Sequence, residues 1–153
     1  MELRELSLKE WLSVCERAEG ACAQRLREIS GRADPADAPL LRFLGSLVSE
    51  EEAHLDAIRQ FSRKVPGPPV WLLDEMLLDH LVRSRFPSFG QGFGEGRLSR
   101  DNALYYAECV EKESSRFYRA LSEEAPDPES RDFFRTVAEG EESHLKHIQT
   151  TLL

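Results

Sequence analysis

Glu141-Glu142-Ser143-His144 repeats, 90 residues on, the pattern of Glu51-Glu52-Ala53-His54. A single Glu-x-x-His is weak in so glutamate-rich a chain, so its matched surroundings carry the weight. At a shift of 90, Phe43, Glu51, Glu52, His54, Leu55 and Ile58 are identical to Phe133, Glu141, Glu142, His144, Leu145 and Ile148. Further out, a shift of 92 aligns Glu19, Arg27 and Ser30 with Glu111, Arg119 and Ser122 and sets Leu26 opposite Tyr118. A two-residue difference between the intervening loops accounts for the change of shift. The chain reads as a tandem duplication of a helical hairpin, a unit larger than a solenoid repeat and present twice.

The hairpins can be drawn from periodicity and punctuation. Ser7 is an N-cap with Glu10 completing a capping box, and Leu8, Trp11, Leu12, Cys15, Cys22 and Leu26 keep helical spacing to about Ser30, where Gly31 is expected to stop the helix. After the turn-rich segment Gly31 to Pro39, Leu40, Leu41, Leu44, Leu47, Val48, Leu55, Ile58 and Phe61 mark a second helix to about Lys64, ended by Pro66, Pro68 and Pro69. Val70 to about Arg85 reads as a short amphipathic helix and Phe86 to Gly96 as an irregular Phe/Gly-rich stretch, together one long crossover. Ser99 caps a third long helix to about Glu124, and Asp127-Pro128 opens a fourth that runs nearly to the C-terminus. Four long helices with short, long and short connections describe an all-α, ferritin-like four-helix bundle, with one extra helix in its crossover and all of residues 1–153 in a single domain.

This layout brings the glutamates together. Glu19 and Glu51 lie about 12 residues either side of the first loop, ~18 Å from the turn at the helical rise, and Glu111 and Glu141 lie ~20 Å from the second. All four meet in mid-bundle if the hairpins pack with their turns at the same level. The three-residue step from Glu51 to His54, and from Glu141 to His144, puts both side chains on one face, one turn apart. Glu19 shares its face with Leu12, Cys15, Cys22 and Leu26, and Glu51 and His54 share theirs with Leu44, Leu47, Val48, Leu55 and Ile58. Charged groups on a core-facing stripe are not solvated decoration. Glu19, Glu51, His54, Glu111, Glu141 and His144 are therefore the expected metal ligands. Four carboxylates and two imidazoles suit a pair of iron or manganese ions, and without cations or protons such carboxylates would be prohibitively costly to bury.

Bulk properties narrow the partners. At 153 residues, 41% hydrophobic and 31% charged, the chain suits one globular domain, and its net charge of -8 disfavours nucleic acid. Met1 to Glu5 lacks signal-peptide character and no stretch approaches the ~20 apolar residues of a membrane span, so a cytoplasmic protein is expected. Cys15, Cys22 and Cys109 form no Cys-x-x-Cys and read as reduced thiols, Cys15 and Cys22 as small core residues. His147 reads as a surface residue and His80 as structural. Tyr118, two turns from Glu111, either hydrogen-bonds an oxygen at the metals and joins the redox chemistry, or packs the core.

At Val110-Glu-Lys-Glu-Ser-Ser-Arg-Phe-Tyr118, followed by Ala138-Glu-Gly-Glu-Glu-Ser-His-Leu145, the chain resembles the rubrerythrin branch of ferritin-like proteins over nearly its whole length. The resemblance implies Glu111, Glu51, His54, Glu141 and His144 as ligands, with Glu19 following from the internal alignment. It implies two non-haem iron ions, for which manganese or zinc can substitute, a homodimer, and reduction of hydrogen peroxide, with Tyr118 near the reacting oxygen. The chain departs from that pattern in three respects. The Cys-x-x-Cys pairs of the rubredoxin-like domain are absent, so electrons are expected from an external donor protein. Leu26 replaces the first-half tyrosine. The additional metal-proximal glutamate of the family is matched by Glu108, one turn before Glu111, or is unmatched, with Glu108 solvated or supporting the ligands from behind. The alternative function is a ferroxidase or iron-sequestering protein acting on dioxygen; bacterioferritins use the same ligands, but their haem-binding methionine has no counterpart, Met76 falling in the crossover.

Overall fold

The Ser7 hydroxyl accepts the Glu10 backbone N–H while the Glu10 carboxylate accepts the Ser7 N–H, and from this box the first helix, α1, runs Leu8–Arg32. The structure is a computed structural model and describes residues 3–67 and 75–152. Gly31 does not stop α1. It lies in the last turn, because its ~1 kcal/mol helix penalty is outweighed by packing of Ile29 and Ala33 and by Arg32, whose guanidinium donates to the carbonyls of Gly94 and Gly96. Asp37 then caps α2 (Ala38–Lys64) through the Leu40 N–H, with Pro39 in its first turn. Val65 and Pro66 follow α2; Pro68, Pro69 and the start of the expected crossover helix at residues 70–74 lie outside the described residues.

The crossover helix α3 is described over Glu75–Arg85 and is followed by a 3-10 turn, Pro87–Gly90, inside the stretch expected to be irregular. Glu113 accepts the Ser88 N–H at 2.8 Å and also contacts its hydroxyl, tying that turn to α4 (Arg100–Glu124). Ser99 caps α4 through the Asn102 N–H, and Asp127 accepts both the N–H and the hydroxyl of Ser130 at the start of α5 (Pro128–Leu152). Gly94 and Gly96 take positive φ, 74° and 79°, which lets the chain turn back so that the Leu98 N–H reaches the Arg32 carbonyl at 2.7 Å. All regular structure among the described residues is helical, and no helix among them is long and apolar enough to cross a membrane.

The two helices of each hairpin run antiparallel, and α4 runs antiparallel to α1. Lys9, near the start of α1, donates to the Ser62 and Val65 carbonyls at the end of α2, and Arg100 at the start of α4 pairs with Asp37 in the α1–α2 turn. The second contact corrects an expectation: the turns of the two hairpins lie at opposite ends of the bundle, not at one level. The glutamates still converge, because each lies at the middle of its helix and a middle stays in place when the helix is reversed.

The duplication is visible in the contacts. Arg27 pairs with Glu52 in the first hairpin as its repeat counterpart Arg119 pairs with Glu142, at 2.7 Å, in the second. Two apolar clusters fill the interior. One holds Trp11, Leu12, Ile58, Phe117, Leu121 and Phe134, the other Leu26, Ile29, Leu44, Leu104 and Ile148, and each draws on all four long helices.

Phe134 is fully buried, its ring 6.2 Å from that of Trp11, so Phe134→Ala is expected to cost about 3–5 kcal/mol in urea unfolding. Met76→Ala, at a side chain 83% exposed, is expected to stay within about 0.5 kcal/mol of the parent.

Candidate metal centre

Between the two apolar clusters lies a polar layer. Glu19, Glu51, Glu111 and Glu141, one from each long helix, have 0% exposure, and they sit on the stripes that carry the apolar residues inward. His54 and His144 stand one turn beyond Glu51 and Glu141 with their rings stacked, 5.6 Å apart and 13° from parallel. His54 Nδ1 lies 2.8 Å from Glu141 Oε1, and His144 Nδ1 lies 3.4 Å from Glu111 Oε2 and 3.6 Å from Glu51 Oε1. Ligand atoms of Glu19, Glu51, His54 and Glu141 all fall within 4.8 Å of one another, as do those of Glu51, Glu111, Glu141 and His144. All six residues singled out in the sequence are thus gathered in two overlapping groups, with Glu51 and Glu141 common to both.

The polar atoms of this layer are short of partners. Both carboxylate oxygens of Glu19, Glu51 and Glu111, Oε2 of Glu141 and Nδ1 of His144 are buried without a hydrogen bond. Buried polar groups are almost always satisfied, so a cluster of unpartnered carboxylate oxygens with an imidazole nitrogen is the arrangement that a cation would complete. The donor set fits divalent metal ions.

Protons must stand in for metal when the layer is empty of it. Burial, followed by the charges of the neighbouring Glu51 and Glu141 carboxylates, raises the carboxyl pKa of Glu19 and of Glu111 well above the ordinary range. For Glu51 burial pushes in the same direction, but proton-donating neighbours, Glu19 and the two histidines among them, outweigh it and hold its carboxylate down. Burial lowers the imidazoles, yet contacts with Glu141 and Glu51 overcome it and bring His54 to about 9 and His144 to about 10.

Tyr118 is wholly buried, and its Oη is another buried polar atom without a hydrogen bond. Burial and then the Glu19 charge keep it a neutral phenol, and burial likewise keeps Cys15 and Cys22 as thiols, in line with small core residues. Glu108 is not in the layer; it pairs with Lys112 one turn on, at 2.9 Å. His147 and His80 are exposed and take no part in either group. Sequence reasoning passed over Glu50, which contacts Nε2 of His144, and Gly140, against which His54 Nε2 packs. The only signal for them was a mismatch between the repeats, Glu in one and Gly in the other. No family model, curated protein or solved structure matches the chain.

The proton pattern fixes a pH dependence for the metal-free protein. Its histidines bind protons more tightly than the unfolded chain, whose imidazoles titrate near the ordinary 6.5, so their stabilisation is complete below that pH and is lost as pH rises through about 9 and 10. Glu19 and Glu111 act in the same sense above 4.5, and Glu51 costs stability only as pH falls below it. In chelator, the melting temperature is expected to fall from pH 6.5 to 9. With excess Mn²⁺, which displaces those protons, the metal-induced gain in melting temperature is expected to grow over the same interval.

Proposed function

We propose that this chain is a rubrerythrin-type, ferritin-like di-iron protein that reduces hydrogen peroxide with electrons from a separate donor protein, working as a homodimer in the cytoplasm. The observation that carries the reading is the sharing of Glu51 and Glu141 between two ligand groups, one completed by Glu19 and His54, the other by Glu111 and His144. Each group offers three carboxylates and one imidazole, a hard and intermediate set that suits iron or manganese and contains no thiolate to favour structural zinc. Two ferrous ions held there would supply two electrons and Lewis acidity, and reduction of one hydrogen peroxide to two waters consumes those electrons with two protons.

The protein's own contribution is placement and proton supply. The apolar clusters on either side shield the four glutamates of the layer from water, and the candidate ligands come from four helices held by caps and packing, which favours a site formed before any substrate arrives. Tyr118 holds a proton at Oη beside Glu19, and burial keeps that proton on the phenol through the physiological range, available to an oxygen atom at the layer. The free cysteines, Cys15 and Cys22 buried and Cys109 partly so, form no redox pair among the described residues, which supports a separate donor as the source of the electrons.

Anaerobic loading is expected to give two ferrous ions per chain, and rapid mixing is expected to oxidise them faster with peroxide than with dioxygen. Faster oxidation by dioxygen would replace the peroxidase reading with the ferroxidase one, and absence of bound iron would remove both. Glu51→Ala combined with Glu141→Ala is expected to abolish loading. Tyr118→Phe is expected to keep both irons and slow their oxidation by peroxide by about 10²-fold.

A further inference from the structure

His54 and His144 address the layer through the same atom, Nδ1, and leave it through Nε2 into different surroundings. His144 Nε2 meets the carboxylate of Glu50, whereas His54 Nε2 lies against Gly140, where a Cβ would stand only 3.0 Å away. Positions 50 and 140 correspond under the shift of 90. The same place in each repeat is therefore an acid behind one histidine and an empty volume behind the other.

An imidazole that ligates through Nδ1 must carry its proton on Nε2, and an acceptor for that proton fixes both tautomer and ring orientation. Glu50 is such an acceptor, reaching from α2 to a histidine on α5. It is 52% exposed by side chain and lines a surface depression with Phe43, Ser46, His147, Thr150 and Thr151, and its one ion pair among the described residues is the one with His144. Among the described residues His54 has no carboxylate at its Nε2, and its side chain is 20% exposed. Its ring is fixed from the inner side alone, by Glu141 at 2.8 Å, and needs the clearance that Gly140 leaves.

We propose that Glu50 is a positioning residue for His144 and Gly140 the clearance for His54, so that the two metal positions related by the repeat bind unequally. The position completed by Glu111 and His144 fills first. This rests on the dinuclear reading of the layer and adds an order of filling and the residues that set it.

Anaerobic titration with Co²⁺, followed by absorbance and by calorimetry, tests it. The parent is expected to bind two ions in two resolved steps. Glu50→Ala should weaken the first step by about 10–100-fold, leave the second within about twofold, and alter the cobalt spectrum of the first step. Glu50→Gln, whose amide oxygen still accepts the Nε2 proton, should recover most of that loss, which loss of a mere surface ion pair would not allow. Gly140→Ala should weaken the second step and spare the first. Two ions bound by Glu50→Ala with the parent's affinities, equal weakening of both steps, or a parent with two indistinguishable steps overturns the inference while leaving the dinuclear site intact. A parent that binds no cobalt overturns the metal reading itself.

Discussion

Four carboxylates buried at one level of a helical bundle are the constraint from which the rest of this structure follows. Each of them would be excluded from an apolar interior on its own, and together they repel. The fold tolerates them because two imidazoles lie among them and because protons or cations can enter the layer. The apolar clusters on either side supply the stability that the layer itself does not, much as a joint is carried by the beams that meet at it. Phe134, Trp11 and Leu121 on one side, and Leu26, Leu44 and Ile148 on the other, bury enough surface to hold four helix midpoints in register.

Placing the buried glutamates at the middle of each helix makes the arrangement insensitive to the order of connections. A residue near a helix end would be displaced by the helix length when the helix is reversed, whereas Glu19 in Leu8–Arg32 and Glu111 in Arg100–Glu124 are barely moved. The crossover is thus free to bring α4 in antiparallel to α1. It is secured by small means: Gly94 and Gly96 at positive φ, the Arg32 guanidinium on their carbonyls, and Glu113 on Ser88.

Most of this was legible in the chain. Capping residues marked the starts of α1 and α4 correctly, the paired Glu-x-x-His segments singled out four members of the layer and the matching glutamates at a shift of 92 the other two, because burial of a charged residue leaves a trace in helical phase. Gly31 misled because a helix end is decided by what the final turn packs against as well as by propensity. The relative level of the hairpin turns could not be read, since helix phase reports which face is inward and says nothing about which end is up. Glu50 and Gly140 left no more than a mismatch between the repeats, for a different reason: a contact across helices to an outer ring nitrogen has no periodicity, and an exposed glutamate on an acidic chain looks like solubilising charge.

Each apolar cluster takes residues from both hairpins, and each ligand group does too. Neither half of the duplicated chain encloses an interior of its own, so an isolated hairpin would have to find a second copy before it could fold. Two identical hairpins related by a twofold axis would bring the same six residue types to one level. Fusion then removes the obligation to remain symmetric: once both halves are encoded separately, position 50 can become an acid while position 140 stays glycine, and a centre built from equal halves is free to acquire two unequal places.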